Sequence, residues 1–384
     1  MNLTDYLDPV SLEKPEEHFI SGDHIFAKNI DIHTPDYQIK ELNQYDLVIL
    51  GVPEDRNSFN KGCSLAPDKI RARLYQLNKL DKAIRILDLG NLKQGNTFTD
   101  TYVALREIIE YLLLNNVVTV LIGGTQELTF PVFQAFESLK PSINLVTIDR
   151  TIDLIKESVK SSADSYLTEL LFKKRRLFKY CNLGHQQYLA DKNNLDLISK
   201  LYYDAYRLGD VRSDFPLVEP ILRDSDIVSF DISSIRQSDA PAFYNPSPSG
   251  FTSEEACQLA RYSGIGDLVI AFGLFEMNPK FDNRSQTANL AAQIIWYFID
   301  GLTSRNVETP SGENKNFKTF IVGSNNLDHE ITFYKSLISE RWWMEIPANK
   351  AQKPVIVSCS YADYLSACEQ EVPNIWWKSY QKLS

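Results

Sequence analysis

Short apolar runs alternate with segments of helical periodicity along most of this 384-residue chain. Residues 47–50, 117–122 and 143–148 are continuous apolar runs, which is the pattern of parallel strands that are buried on both faces. The alternation continues through the runs at 227–230 and 268–275. It predicts an α/β protein with a doubly wound parallel sheet, and we expect residues 317–322 to form the last core strand.

The two ends of the chain differ from this pattern. Residues 1–44 are polar and irregular, and we expect them to form an N-terminal arm on the surface of an α/β domain that spans residues 45–323. Residues 324–384 contain two tryptophan pairs and a further predicted strand at 355–358. This segment is predicted to be a C-terminal extension that packs on the core.

Composition narrows the classes of function. The chain is 43% hydrophobic and 23% charged, which is ordinary for a globular protein, and its net charge of -10 disfavours binding to nucleic acid. Its apolar runs are too short to cross a bilayer, and the first residues lack the features of a signal peptide. Five scattered cysteines without a C-x-x-C pair indicate a reducing compartment, so we expect a cytoplasmic protein.

Polar and acidic residues follow three of the predicted strands. Residues 123–127 read Gly-Gly-Thr-Gln-Glu, residues 149–153 read Asp-Arg-Thr-Ile-Asp, and residues 229–233 read Ser-Phe-Asp-Ile-Ser. Ligands of doubly wound sheets bind beyond the carboxyl ends of the strands, so Asp149, Asp153 and Asp231 are expected to converge there. Any one of these carboxylates alone is better explained as a helix cap or a surface acid. Their shared position at strand ends favours a site.

These segments resemble the three metal-ligand motifs of the ureohydrolase superfamily (arginase, agmatinase and formimidoylglutamase), which read G-G-D-H, D-A-H-x-D and S-x-D-x-D. Residues 51–55 with 62–67 and 70–71 resemble the family's G-V-P-x-D, G-x-x-x-G-P and I-R, and residues 275–282 resemble its E-x-N-P-x-x-D. The resemblance covers residues 45–302 and is nearest to the formimidoylglutamase branch. It implies an arginase-like three-layer α/β/α fold with an eight-stranded parallel sheet.

The resemblance also implies a metal site, which this chain departs from. Active members hold two manganese ions that share a bridging hydroxide. The positions of the first ion's ligands carry over to Gln126, Asp149, Asp153 and Asp231, and those of the second to Asp149, Asp231, Thr151 and Ser233. Gln126 and Thr151 stand where the family has histidine, and Ser233 stands where it has aspartate. We therefore expect no dinuclear manganese centre. A single Mg²⁺ or Ca²⁺, held by Gln126 and the three aspartates, is the alternative.

Two further residues are candidates for chemistry. Glu276 corresponds to the family residue that binds the guanidinium or amidine of the substrate. His185 follows a predicted strand and is either a catalytic candidate beside Asp149 and Glu276 or, as is commoner for a lone histidine, structural.

Three clustered carboxylates require neutralisation. At about 4 Å and an effective dielectric constant near 20, each ionised pair repels by roughly 4 kcal/mol. A cation, a basic side chain such as Arg150 or Arg236, or a retained proton would relieve that repulsion.

Three functions follow from these observations. The first is a non-catalytic scaffold or binding protein, the second a metal-dependent hydrolase of amidine or guanidine C–N bonds, and the third a sensor that holds a cationic small molecule through Glu276. The tryptophan pairs suggest an interaction surface for a second copy or a protein partner, because tryptophan is enriched at interface hot spots. The four residues are Trp342, Trp343, Trp376 and Trp377.

Overall fold

The computed structural model of the protein describes residues 2–11, 22–37, 39, 41–154, 165–173, 176–308, 310, 315–323, 330–348 and 353–383. Within these residues, the larger of two sheets has ten strands. They are β1 (Leu7–Asp8), β2 (Asp31–Ile32), β3 (Leu47–Val52), β4 (Ile86–Leu92), β5 (Val118–Gly123), β6 (Ile143–Ile148), β7 (Leu177–His185), β8 (Asp204–Arg207), β9 (Ile227–Asp231) and β10 (Ala271–Phe275). Strands β3 to β10 form the expected eight-stranded parallel sheet, in the order β4-β3-β5-β10-β9-β6-β7-β8.

Helices cover both faces of this sheet, as the fold requires. They are α1 (Ala66–Leu74), α2 (Phe98–Leu114), α3 (Thr129–Leu139), α4 (Tyr166–Lys173), α5 (Lys192–Lys200), α6 (Leu208–Ser213), α7 (Val218–Arg223), α8 (Ser253–Ile265) and α9 (Gln286–Leu302). One apolar core contains side chains of α1, α7, α8 and α9, and the other contains side chains of α2 to α5. Strand β3 supplies both cores in alternation, with Leu47 and Ile49 on one face and Val48 and Leu50 on the other.

Part of the predicted N-terminal arm joins the sheet. Strand β1 pairs antiparallel with β4, and β2 pairs parallel with the same strand. Leu7 and Phe26 are buried there, so this region packs on the domain through apolar contacts. Among the described residues, no helix is both long and apolar enough to cross a membrane.

The C-terminal residues form a second, antiparallel sheet. Its strands are β11 (Phe317–Val322), β12 (Ile331–Ser336), β13 (Trp342–Ile346) and β14 (Val355–Cys359), paired in sequence order. Helices α10 (Tyr361–Cys368) and α11 (Asn374–Leu383) follow, and their side chains share an apolar cluster with the sheet. We call β11 to α11 the C-terminal module. The expectation that 317–322 is the last core strand is wrong, because β11 pairs with β12 and not with the parallel sheet.

Candidate functional site at the strand ends

Four neighbouring strands deliver the predicted site residues to one edge of the sheet. Strands β5, β10, β9 and β6 lie side by side, and all run in the same direction. Gln126 follows β5, Glu276 follows β10, Asp231 ends β9, and Asp149 follows β6. The strand order therefore brings together segments that lie up to 150 residues apart in the sequence.

The side-chain amide of Gln126 lies at the centre of the three aspartates. Its oxygen accepts a hydrogen bond from Ser229 Oγ at 3.3 Å, and its nitrogen lies 3.0 Å from Asp149 Oδ2, 3.2 Å from Asp153 Oδ2 and 3.3 Å from Asp231 Oδ2. The opposite orientation would place the amide oxygen against three carboxylates, so the hydrogen-bond network selects this one. The expected convergence of the aspartates occurs, and it occurs around a hydrogen-bond donor.

The residues at the other two altered positions also donate to the aspartates. The Thr151 hydroxyl lies 3.1 Å from Asp149 Oδ1 and 3.0 Å from Asp153 Oδ1, and its backbone N–H donates to Asp149 Oδ1. The backbone N–H of Ser233 donates to Asp231 Oδ1 at 2.6 Å. Gln126, Thr151 and Ser233 thus join one hydrogen-bonded network with the carboxylates.

Burial perturbs the acids of this network. It raises the pKa of Asp149, and it raises the pKa of Asp231 well above its usual range, with the negative charges of Asp149 and Glu276 adding to the second shift. Arg150 is buried beside Asp149 and favours its ionised form, while its guanidinium lies 4.9 Å from the centre of the Phe243 ring. Arg236 instead pairs with Asp239 at 2.7 Å. Of the two basic residues expected to relieve the repulsion, Arg150 does so.

Glu276 occupies a tight turn beside Gln126. Its backbone has a φ of 66°, and its N–H donates to the carbonyl of Gly124 at 2.8 Å. One carboxylate oxygen accepts from the backbone N–H of Gln126 at 2.9 Å, and the other accepts from Asn60 Nδ2 at 3.0 Å. The carboxylate is buried, and these bonds fix its position beside the aspartates.

Glu127 is a buried acid that sequence reasoning did not single out. Burial raises its pKa to about 8, and the charges of Glu276 and Glu54 act in the same direction. Neither carboxylate oxygen has a well-formed hydrogen bond in the described structure, although Tyr102 and Asn57 lie nearby. A glutamate directly after a predicted ligand position, in a turn that follows a buried strand, was the available signal.

His185 ends strand β7 and is buried at the same edge of the sheet. Within the described residues, the groups that influence its charge are Asp210, Arg207 and the backbone of Tyr206, and burial lowers its pKa. These groups belong to β8 and α6, so the imidazole lies on the β8 side of β7, away from the aspartates. His18 and His329 lie outside the described residues.

Comparison with known proteins gives a consistent result. A family model described as Arginase family matches residues 45–300. A formimidoylglutamase of Staphylococcus aureus (strain MRSA252) is 24% identical over 263 residues, which cover 65% of this chain and 85% of that protein.

Solved structures share the fold. A formimidoylglutamase from Bacillus subtilis superposes with a TM-score of 0.67 at 17% identity, covering 77% of this chain and 97% of that one. A formiminoglutamase from Trypanosoma cruzi, solved with Mn²⁺, superposes with a TM-score of 0.64 at 17% identity, covering 70% of this chain and 96% of that one. The C-terminal module begins beyond the residues that the family model matches.

Proposed function

Since the chain belongs to the arginase family, in a formimidoylglutamase-like branch, we propose that it is a non-catalytic member that acts as a scaffold or binding protein. The observation that carries this proposal is that the end of the Gln126 amide lies within 3.3 Å of one oxygen of each of three aspartates, where the hydrogen-bond network assigns its nitrogen. An N–H donor directed at carboxylates and a cation bound by the same carboxylates exclude each other.

The donor set does not fit two manganese ions. A neutral hydroxyl at Thr151 and a serine at Ser233 offer weak ligands where the family has histidine and aspartate, and removing ligands removes affinity. We therefore derive no reaction step through a metal for this chain.

Hydrolysis assays test this proposal. Purified protein supplied with Mn²⁺ should release neither urea from arginine or agmatine nor formamide from formimidoylglutamate above the rate of a no-protein control. A triple variant, Gln126→His with Thr151→His and Ser233→Asp, rebuilds the family ligand set and should bind Mn²⁺ more tightly than the natural chain. Turnover by the natural chain that Asp231→Ala abolishes would refute the proposal.

A hydrolase with a single hard cation is the second candidate. Asp149, Asp153 and Asp231 all survive, and rotation of the Gln126 amide would turn its oxygen toward them. An all-oxygen set of this kind suits Mg²⁺ or Ca²⁺. In this case millimolar Mg²⁺ or Ca²⁺ raises the melting temperature by linkage, and Asp153→Asn removes the rise. An unchanged melting curve rules out this candidate.

The partner-binding part of the proposal concentrates on Trp377. The four tryptophans were expected to contribute to an interaction surface, but Trp342, Trp343 and Trp376 are buried, whereas Trp377 is 44% exposed. Trp377→Ser should weaken self-association or partner capture and leave the free energy of unfolding within about 0.5 kcal/mol of the natural value. Light scattering of the natural and variant chains, and a pull-down with each of them as bait, test this. Unchanged results in both would show that Trp377 is not part of an interaction surface.

A further inference from the structure

A groove lies between the core domain and the C-terminal module, at the edge of the sheet opposite the strand-end site. Arg223, at the end of α7, precedes the start of β9 by four residues, whereas Asp231 lies at the carboxyl end of that strand. The groove has a volume of about 750 Å³, within the range of sites for small molecules. Its walls come from α7 and Tyr262 on one side and from β11 to α10 on the other. We call it the interface groove.

Positive charge exceeds negative charge in this groove. Among the described residues, four cationic and two anionic side chains line it: Arg223, Arg341, Lys318, Lys335, Glu219 and Glu340. This excess is local, since the whole chain carries a net charge of -10. An anion in the groove would therefore meet an attractive field in spite of the negative net charge of the chain.

One partly exposed carboxylate is shared between two guanidinium groups. Glu219 Oε1 lies 3.1 Å from Nε of both Arg223 and Arg341. Nη1 of each arginine is buried without a hydrogen-bond partner in the described structure. Burial also lowers the pKa of Arg223, because the charges of Glu219 and Asp224 only partly offset its desolvation and the repulsion from Arg341. The two guanidinium groups therefore keep an excess of positive charge that a bound anion would balance.

A cluster of three aromatic rings lines the module side of the groove. The rings of Trp342 and Tyr364 stack with centroids 4.8 Å apart, and the ring of Tyr361 lies 5.4 Å from that of Trp342 and 5.9 Å from that of Tyr364. Tyr361 is 54% exposed, so it leaves ring surface open at the edge of the cluster. Aromatic rings and arginine planes are the groups on which nucleic-acid bases and other flat rings stack.

We propose that the interface groove binds a small anion that carries a flat aromatic ring, in the chemical class of a nucleoside monophosphate. The anionic group lies near Arg341 and Lys318, and the ring stacks at Tyr361. The aromatic ring and the anionic group of the ligand both contribute to binding, so a ligand that has only one of them should bind weakly. The ligand would contact both the core domain and the module, and its binding would hold the two together.

Calorimetry with the full chain tests the proposal, using AMP and phenyl phosphate as ring-bearing anions and adenosine and inorganic phosphate as the separate parts. AMP and phenyl phosphate should bind about tenfold more tightly than inorganic phosphate, which is the factor expected for one stacked ring. AMP should also bind more tightly than adenosine, which lacks the anionic group. Lys318→Gln and Tyr361→Ser should each weaken that binding several-fold, and both positions are exposed, so the fold should survive. Lys192→Gln and Tyr297→Ser are matched controls at exposed positions elsewhere, and they should change nothing.

Any one of the following results would contradict the proposal. Absence of binding by both AMP and phenyl phosphate at millimolar concentration excludes the ligand class. Binding of phosphate alone at equal strength excludes the ring contact, and equal binding of adenosine excludes the charge contact. Binding that Lys318→Gln and Tyr361→Ser leave unchanged places the ligand elsewhere on the protein.

Discussion

The amide of Gln126 places a hydrogen-bond donor at a position where the resemblance implies a metal ligand. A histidine there would direct a nitrogen lone pair at a cation, whereas the amide directs N–H groups at Asp149, Asp153 and Asp231. Hydrogen bonds from a donor to carboxylates are stronger than those between neutral groups, so the amide offsets part of the repulsion among the acids. At the scale of single residues, the amide thus forms structural hydrogen bonds at a position where the resemblance implies a metal ligand.

Replacing Gln126 by an apolar side chain of similar length should reveal that role. Gln126→Met leaves the three carboxylates without the donor, and we expect the free energy of unfolding to fall by about 2 to 4 kcal/mol. Gln186→Met is the control, because Gln186 is also buried but bonds neutral groups: it donates to the carbonyl of Ser249 and accepts from the hydroxyls of Tyr188 and Ser247. It should cost less than Gln126→Met, because no charged group loses a partner. Chemical denaturation measures both, and equal losses would show that the carboxylates do not depend on Gln126.

Helices and strands preserve the framework of the family even where the ligands have changed. Asp55 accepts hydrogen bonds from the N–H of Gly62 and the hydroxyl of Ser64, and Asp282 accepts from the N–H groups of Thr287 and Ala288 in the first turn of α9. These motif residues hold turns and a helix start, and none of these roles requires a metal. Their retention explains why the family motifs stay recognisable in a chain with an altered site.

The pair of Arg71 and Asp88 shows how strongly this framework is fixed. Arg71 in α1 donates to Asp88 in β4 at 2.8 Å, and both side chains are fully buried. Arg71→Met would leave Asp88 buried without its cation, so we expect a loss of about 3 to 5 kcal/mol in unfolding free energy. The matched control is Arg85→Met, which breaks the exposed pair with Asp46 and should cost less than about 1 kcal/mol. A similar loss of unfolding free energy in both variants would contradict the claim that the buried pair stabilises the fold more than the exposed pair does.

Helix α11 introduces a dependence of stability on pH. Burial lowers the pKa of Lys382 to about 7, while its ammonium donates to the carbonyl of Phe178 and lies 4.0 Å from the centre of the Tyr203 ring. The ordinary pKa in the unfolded chain is about 10.4, so the unfolded state binds more protons between pH 7 and that value. Stability should therefore rise with pH across this window, and Lys382 should contribute no slope below about pH 7.

The slope can be assigned by substitution. Glu127 has the opposite slope up to about pH 8, so the contribution of Lys382 is measured as a difference between chains. Between pH 7 and 10 the natural chain should gain unfolding free energy relative to Lys382→Met, whereas Lys192→Met, at an exposed position on α5, should follow the natural chain. A constant difference between the natural chain and Lys382→Met across this range would contradict the assignment to Lys382.

The limits of sequence reasoning follow from how each element is buried. Strands β3, β5 and β6 are buried on both faces, so continuous apolar runs revealed them. Strand β8 is partly exposed and reads Asp-Ala-Tyr-Arg, which carries no such signal. Strand β11 was assigned to the wrong sheet, because its pairing depends on contacts with later residues that periodicity does not encode. Motif spacing revealed the three aspartates, but the orientation of the Gln126 amide is assigned only from the hydrogen bonds around it.

At the scale of the whole molecule, the two tryptophans of β13 are buried on opposite sides of one strand. Trp342 packs with Tyr364 of α10 inside the module. The Arg223 guanidinium lies over Trp343, 4.3 Å from the centre of the tryptophan ring. Adjacent side chains of a strand point to opposite faces, so both can be buried only where each face is covered. Bonds from Arg223 to the carbonyl of Trp342 and from the N–H of Ser358 to Asp224 reinforce the contact with the core domain.

Substitution of single tryptophans should separate structural from surface roles. Trp343→Ala removes a ring between the module and the core domain, and we expect a loss of about 3 to 5 kcal/mol in unfolding free energy. Trp377→Ala removes a ring that is 44% exposed and should cost less than about 1 kcal/mol. Denaturation curves compare the two, and an equal cost would contradict the docking of the module through Trp343.

The metal stoichiometry of the purified protein tests the central claim most directly. Protein stripped of metals and titrated with Mn²⁺ should bind no spin-coupled pair of ions, as measured by calorimetry and electron paramagnetic resonance, because Gln126, Thr151 and Ser233 do not supply the missing ligands. The triple variant that restores His, His and Asp is the control for a competent ligand set. Two Mn²⁺ ions per chain in the natural protein, coupled across a few ångströms, would contradict the account.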